Sequence, residues 1–318
     1  QRAVAADVLG SKLYWAAGFE VPCNRLLQLD PDKLVLDPEA TKKDPTGRKI
    51  PLTRRDVARA MGHAPRDEQG RVRTMASKYL PGEPLGPFSY LGRRADDPND
   101  AIPHEDRREL RGSRLIAAWT NHFDSRDQNT YTAFFRTTPD AERGYVQHFL
   151  LDFGDLFGAR WFSEGMTRRL GYSTFVHPGH ILSDWLTLGA IPRPWHSVDS
   201  PPAGEPFGYF DVDHFDPERW KPGFPNPAFQ RMDARDAFWA TNIISRFSDA
   251  HIDRLAEAGR FSRPAYTRYL AHTLRGRRDK IVATYFRRYS PMVAPTVDGE
   301  SICLEDAWVG RGFGAAGD

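Results

Sequence analysis

Asp124-Ser-Arg-Asp-Gln-Asn129 and, further along, Leu151-Asp-Phe-Gly154 are the stretches on which the reading of this chain turns. Between them run Thr130-Tyr-Thr-Ala-Phe-Phe-Arg136 and Tyr145-Val-Gln-His-Phe-Leu-Leu151, rich in β-formers, with the turn residues of Pro139-Asp-Ala-Glu-Arg-Gly144 separating them. A hairpin there would bring Asp152 back beside the loop that carries Asp124 and Asn129. The residue types then fit one chemistry. Moving a phosphoryl group requires a hard divalent cation over the phosphate oxygens, and Mg²⁺ prefers carboxylate and amide oxygens; Asn129 and Asp152 are the candidate ligands. The attacking hydroxyl needs a carboxylate to orient it and accept its proton, and Asp124 is the candidate. The competing reading makes the Asp and Asn simple caps and turn formers. The order of the pieces, on loop and strand after an apolar helix, favours the shared cleft.

Working outward, His104 to Thr120 reads as a helix with an acidic first turn, Glu105 and Asp106, and an apolar end, Leu115-Ile-Ala-Ala-Trp119, which delivers the chain into Asp124. Asp155-Leu-Phe-Gly158 follows the second motif and reads as a mobile, glycine-bearing segment. Upstream, Ala3 to Ala17 forms an amphipathic helix ended by Gly18 and Val21-Pro22. Arg25 to Leu29 and Lys33 to Leu36 are strand-like, Asp44-Pro-Thr-Gly47 is polar turn, and Leu52 to Met61 is a short helix capped by Thr53. Arg71 to Leu80 reads as a strand that enters the turn-rich Pro81 to Pro87, and Asp96-Asp-Pro-Asn-Asp100 is loop. Downstream, Ile181 to Leu188, Ala234 to Phe247, Asp249 to Glu257 and Pro264 to Arg288 are helical, broken by Pro-rich loops such as Pro192-Arg-Pro-Trp195. Met292 to Val309 has strand-like pieces.

A chain of 318 residues that is 40% hydrophobic and 12% aromatic can bury a large core. With 44 basic and 42 acidic side chains interspersed, its net charge of +2 provides no global field for nucleic acid. The basic runs Arg107-Arg108 and Arg275-Gly-Arg-Arg278 read as solvated helix faces. Cys23 and Cys303 are too few for a disulfide framework or zinc knuckle, and a single bridge between them has nothing in its favour. No run approaches the length of a membrane span. The chain opens at Gln1 without an initiator Met or signal-peptide pattern, which raises the expectation of processing or an incomplete N-terminus and leaves the compartment open.

Other candidates for chemistry are weaker. His177-Pro-Gly-His180, with Asp184 or His214, has the residue types of a transition-metal site, but Pro178 and Gly179 argue for loop residues. Asp211, Asp213 and Asp216 lack the rest of a calcium loop, and read as caps for the turn at Pro217 to Trp220. The aromatic group Trp195, Phe207, Tyr209, Phe210, Phe215, Trp220, Phe224 and Phe229 reads mainly as core, with a peptide or glycan groove as the alternative.

In its two motifs the chain resembles protein kinases, in which an Asp stands five positions before an Asn on the catalytic loop and a later Asp-Phe-Gly supplies the main magnesium ligand. It is similar to the atypical group that includes HipA-like kinases, spore-coat CotH kinases and phosphoinositide kinases. More narrowly, it resembles bacterial proteins that carry strings like Tyr14-Trp-Ala-Ala-Gly-Phe-Glu-Val-Pro22, Asp97-Pro-Asn-Asp100, Pro103-His104-Glu105, Arg107-Arg-Glu-Leu-Arg-Gly112 and Leu151-Asp-Phe-Gly154. This narrower resemblance runs through most of the chain and implies a layout without a substrate.

The resemblance implies an α+β, bilobal, kinase-like fold: residues 1–87 as a partial N-terminal lobe ending at a hinge, and 88–318 as a large, mainly helical catalytic lobe. It makes Asp124 the catalytic-loop Asp, with Asn129 and Asp152 as metal ligands. It places Asp7 on the helix that pairs with the nucleotide-binding Lys, although kinases use Glu there. That Lys and its Gly-rich loop would precede Gln1; Lys12, Lys33 and Lys78 lack the position. His122, two residues before Asp124 with Phe123 between, departs from the family's order and reads as a packing His. The expected activity is Mg²⁺- and ATP-dependent phosphoryl transfer to an unidentified protein or small molecule. An inactive pseudokinase or interaction module, and a kinase-like AMP transferase, are the alternatives.

Overall fold

The computed structural model describes residues 2–62, 64–160, 163–198 and 206–315, and the chain is a mixed α+β protein. Ten α-helices occur among the described residues: α1 (Arg2–Ala16), α2 (Arg54–Gly62), α3 (Arg108–Thr120), α4 (Glu164–Arg169), α5 (Pro178–Thr187), α6 (Pro227–Gln230), α7 (Ala234–Ile244), α8 (Asp249–Ala258), α9 (Pro264–Arg288) and α10 (Ala307–Gly310). The strands are short: β1 (Asn24–Leu29), β2 (Thr41–Lys43), β3 (Lys49–Pro51), β4 (Val72–Ser77), β5 (Glu83–Gly86), β6 (Thr130–Arg136), β7 (Gly144–Leu150), β8 (Met292–Asp298) and β9 (Ser301–Asp306). All pairing is antiparallel. β1 pairs with β4, β2 with β3 and β8 with β9, and β5-β6-β7 form a three-stranded sheet.

The first helix ends where a glycine permits it. Gly18 has φ +95°, Phe19 N–H donates to the Tyr14 carbonyl and Gly18 N–H to that of Trp15, the paired bonds that satisfy a helix C-terminus through a left-handed residue. Thr53 caps α2 reciprocally: its N–H and hydroxyl donate to Asp56 Oδ2, and Asp56 N–H returns a bond to Thr53 Oγ1 at 3.3 Å.

One main core unites the chain. Leu9, Leu13 and Tyr14 of α1, Leu115, Ile116 and Trp119 of α3, Phe153 and Phe157 beyond β7, and Leu270, Leu274 and Ile281 of α9 belong to the same buried cluster, so residues on both sides of position 87 share it. The expected aromatic core holds: Phe207, Phe210, Phe215, Trp220 and Phe229 are all in it. A small second cluster sits under β8 and α10, around Phe286 and Trp308.

Several expectations are corrected. Lys33 to Leu36 is not a strand; Asp30 caps a 3-10 turn over Pro31–Lys33 by accepting from Asp32 N–H, and Val35 is left exposed. The helix foreseen from His104 breaks at Arg107 into a 3-10 turn, His104–Asp106, and α3. The cause is tertiary: His104 is drawn to Asp100 and the Ser89 carbonyl, and Glu105 accepts from Gly92 N–H. Asp155 to Gly158 is not a free segment, since Leu156 and Phe157 are buried and Phe157 N–H donates to the Thr120 carbonyl.

Nor is Arg275 to Arg278 a solvated face. Arg277 is buried under Phe215 and donates to the Ala118, Trp119 and Asp211 carbonyls, while Arg278 reaches Phe247 O and Asp249. Bonds from a charged donor contribute about 1.5–3 kcal/mol each, which offsets the cost of burying the guanidinium. Through them α9 fixes the C-terminal end of α3, and hence the loop that carries Asp124.

Candidate functional site

α3 delivers that loop through a left-handed residue. Asn121 at the C-cap has φ 54°, and its side-chain oxygen accepts from Trp220 Nε1 at 2.8 Å, anchoring the turn. Three residues on, Asp124 is 7% exposed. Asn129, on the 3-10 turn that leads into β6, donates Nδ2 to the Asp124 carbonyl at 2.8 Å and to Asp124 Oδ2 at 2.9 Å. This leaves the amide oxygen of Asn129 and the second carboxylate oxygen of Asp124 unbonded within the pair. Asp124 Oδ1 is 3.0 Å from Arg126 Nε, but neither atom is aligned for a hydrogen bond and both are buried. Arg126 itself lies over the Phe224 ring.

β6 and β7 pair in full register from Thr130↔Leu150 to Arg136↔Gly144, the expected hairpin. Leu151 N–H then bonds the Asn129 carbonyl at 2.9 Å, tying the end of β7 to the Asp124 loop. Asp152 follows with φ 56°, a strained conformation for a residue with a side chain. It is held there from its other side: Phe153 N–H donates to Asp7 Oδ1 at 2.9 Å, and the Phe153 ring is fully buried against α1. Gly10 makes the approach possible, because a Cβ there would stand 2.4 Å from that of Phe153. Tyr14 and His122 close the packing, with Tyr14 Oη 2.9 Å from His122 Nδ1 and both rings within 5.6 Å of Phe153. His122 is thus a packing residue, and burial pushes its pKa down to about 3.

Asp7 and Asp152 both reach the edge of Gly154. A side chain at Gly154 would begin 3.4 Å from Asp7 Oδ2 and 3.6 Å from Asp152 Oδ1. Burial raises the pKa of Asp7, and Asp152 and Asp155 raise it further against the Phe153 bond. Burial likewise raises Asp124, opposed by Asn129 and Arg126 and reinforced by Asp152. Asp155 is raised by burial, then lowered by Arg2 and raised again by Asp124 and Asp152.

The burial of Asp155 has a measurable sign. A carboxyl whose folded-state pKa is raised binds its proton more tightly in the folded chain, so its ionisation destabilises the fold as pH climbs past the unfolded value of about 3.8. Asp155→Asn is therefore expected to raise the unfolding midpoint at pH 7, by up to about 1 kcal/mol for this half-buried group. The gain should vanish near pH 4. Melting curves across that range check it; a destabilised variant at pH 7 rules it out.

The sequence motifs thus place Asp124, Asn129 and Asp152 on connected segments, with Asp7 beside Asp152. By donor type these hard oxygens fit a divalent cation. As they stand, among the described residues, no three His, Cys, Asp or Glu side chains converge closely enough to hold a metal ion. Asp7 does not face an ammonium group; Lys12 and Lys78 are exposed and Lys33 pairs with Asp30. Asp155, Arg126 and Arg2, which donates to the Gly154 and Leu156 carbonyls, were not singled out from sequence, although the first two lie inside or beside the quoted motifs.

The remaining candidates do not assemble. His177 stacks on His180 at 3.9 Å and caps α5 by accepting His180 N–H, Asp184 pairs with Arg193, and His214 turns to Asp211. Asp216 accepts from Glu218 and Arg219 N–H groups, the capping role expected of it. Cys23 and Cys303 are free and exposed. Among the described residues no helix is long and apolar enough to cross a membrane. Comparison with protein-family models, curated proteins and solved structures gave no match to this chain.

Proposed function

We propose that this chain carries the catalytic part of a kinase-like phosphotransferase, with α1 and the small sheets near it as one lobe and the helical remainder as the other. The observation that carries the reading is the hydrogen-bonded pair of Asp124 and Asn129, joined through the Leu151 N–H bond to the strained Asp152. Asn129 Nδ2 pins one oxygen of Asp124, and Oδ1, buried beside Arg126 Nε, would accept the hydrogen of an acceptor hydroxyl and, late in the transfer, its proton once Arg126 moves aside. The upward shift of this carboxyl makes it a stronger base than an exposed Asp. Asn129 Oδ1 and Asp152 are the groups that would hold Mg²⁺, which would supply charge neutralisation over the phosphates of ATP. Asp7 contributes by fixing Phe153, and with it the conformation of Asp152.

One observation favours a second reading, a nucleotide-binding or interaction module that does not turn over. Asp7 is occupied by a backbone N–H, and among the described residues no lysine pairs with it. A thermal-shift titration with Mg²⁺ and ATP separates the readings. Ligand held at about 100 times its Kd stabilises by about 2.7 kcal/mol, a shift expected for the wild type and largely lost in Asp152→Asn. Stabilisation without phosphorylated product favours the module. A wild type indifferent to Mg²⁺ and ATP removes both.

A further inference from the structure

A cavity of about 790 Å³ opens between the connection from α7 to α8, one side of α9 and the turn after α10, and none of its lining residues belongs to the Asp124 loop. Each wall brings arginine to it: Arg246 from the connection, Arg278 and Arg287 from α9, and Arg311 after α10. Guanidiniums gathered from separate stretches of chain repel one another unless negative charge stands among them. The acids in the wall, Asp249 and Asp279, are both taken by a single guanidinium: Arg278 Nη2 lies 2.8 Å from Asp249 Oδ1, and Arg278 Nε donates to Asp279 Oδ1 at 2.8 Å. Arg311 is engaged as well, by Glu305 at 3.1 Å and by Asn242 and Ser245.

Arg246 and Arg287 are left over. Both are exposed, and among the described residues neither meets a carboxylate. The Arg287 guanidinium lies 5.0 Å from the centre of the Trp308 ring, a contact that holds it at the cavity without neutralising it. Trp308, in the same wall, has its indole Nε1 buried without an acceptor, one more donor with an unmet need. Two unpaired guanidiniums at one cavity match a dianion better than a single carboxylate, and their planar forks suit the oxygens of a phosphate, whose monoesters carry about 1.5–2 negative charges at pH 7. The space exceeds what inorganic phosphate fills and falls in the range of about 300–1,000 Å³ usual for small organic ligands, while Trp308 and Phe313 supply apolar wall. We propose that this cavity binds a small phosphate monoester, with the phosphate between Arg246 and Arg287 and the organic part against Trp308 and Phe313. Binding there uses neither Mg²⁺ nor Asp124 and is independent of any phosphoryl transfer.

Isothermal titration of the whole chain with phenyl phosphate, in low salt without divalent cations, tests it. Phenyl phosphate should bind, inorganic phosphate more weakly, and benzoate, which keeps the ring but carries one charge, not measurably. Arg246→Glu should weaken phenyl phosphate by at least about tenfold, the effect of losing a charged hydrogen bond, while melting like the wild type, since its side chain is exposed. Arg287→Gln should weaken it similarly, and Asp152→Asn should leave it unchanged. No binding of phenyl phosphate to the wild type overturns the inference, as does benzoate or inorganic phosphate binding as tightly as the ester. Affinity that survives Arg246→Glu and disappears in Asp152→Asn assigns the phosphate to the Asp124 site and overturns it equally.

Discussion

Asp124→Asn should lower phosphoryl transfer by about 10²–10⁴-fold, the usual range for a lost general base, while the stabilisation by Mg²⁺ and ATP persists. The substitution is nearly isosteric. It keeps an oxygen for Asn129 Nδ2 and does not touch the Asp124 carbonyl that receives the other bond, so both bonds that hold the loop survive, while the ion pair with Arg126 is lost. What it removes is the acceptor for the hydroxyl proton at Oδ1. It also removes one charge from a crowded set of acids, so the variant should be at least as stable as the wild type at pH 7. That combination, folded and nucleotide-responsive but slow, distinguishes a lost base from a damaged site. Asp155→Asn serves as the control, since it relieves the same repulsion without touching Asp124 or Asn129. Turnover unchanged by Asp124→Asn would remove Asp124 from the chemistry, and turnover lost equally in the control would mean that charge alone matters there.

The parts of the fold that were legible in the sequence are those fixed locally. α9 spans the Pro264 to Arg288 read from its pattern, α2 starts after its Thr53 cap, and the β6-β7 hairpin forms around its turn residues. The parts that were not legible are set by distant partners. Nothing near Arg277 announces that its guanidinium will close α3 from another helix, and a run of basic residues on a helix looks the same whether it faces water or three carbonyls. The break before α3 depends on Asp100 and Gly92 capturing His104 and Glu105. At the site, the order of Asp124, Asn129 and Asp152 was visible because each sits in a short motif. The role of Asp7 was foreseen only as a partner for an ammonium group, and its bond to Phe153 N–H appears only once Gly10 lets the Phe153 ring reach α1. β2 and β3, three residues each, are too short to leave a periodic trace.

His122 gives the acid behaviour of this fold a specific source. Its folded-state pKa of about 3, lowered by burial, lies well below the 6.5 of an exposed imidazole. Below pH 6.5 the unfolded chain takes up a proton at this position that the folded chain refuses until about pH 3. Stability is therefore complete above 6.5 and falls by about 1.4 kcal/mol per pH unit, or by about 4–5 kcal/mol over the whole window. Asp7, Asp124 and Asp155 act in the opposite sense, gaining protons in the folded state before the unfolded one, and His148, lowered to about 4 chiefly by burial, acts in the same sense as His122. The comparison that isolates His122 is wild type against His122→Phe. The variant takes His122 from the buried Tyr14 hydroxyl, which keeps only Thr120, a cost of about 1–2 kcal/mol at pH 7. It should nevertheless lose far less stability on acidification, so that the two urea-denaturation curves converge near pH 5 and cross below it. Parallel loss in both proteins between pH 7 and 4 would mean that the imidazole is protonated within the fold, and that Tyr14, His122 and Phe153 do not seal the floor of the site from water.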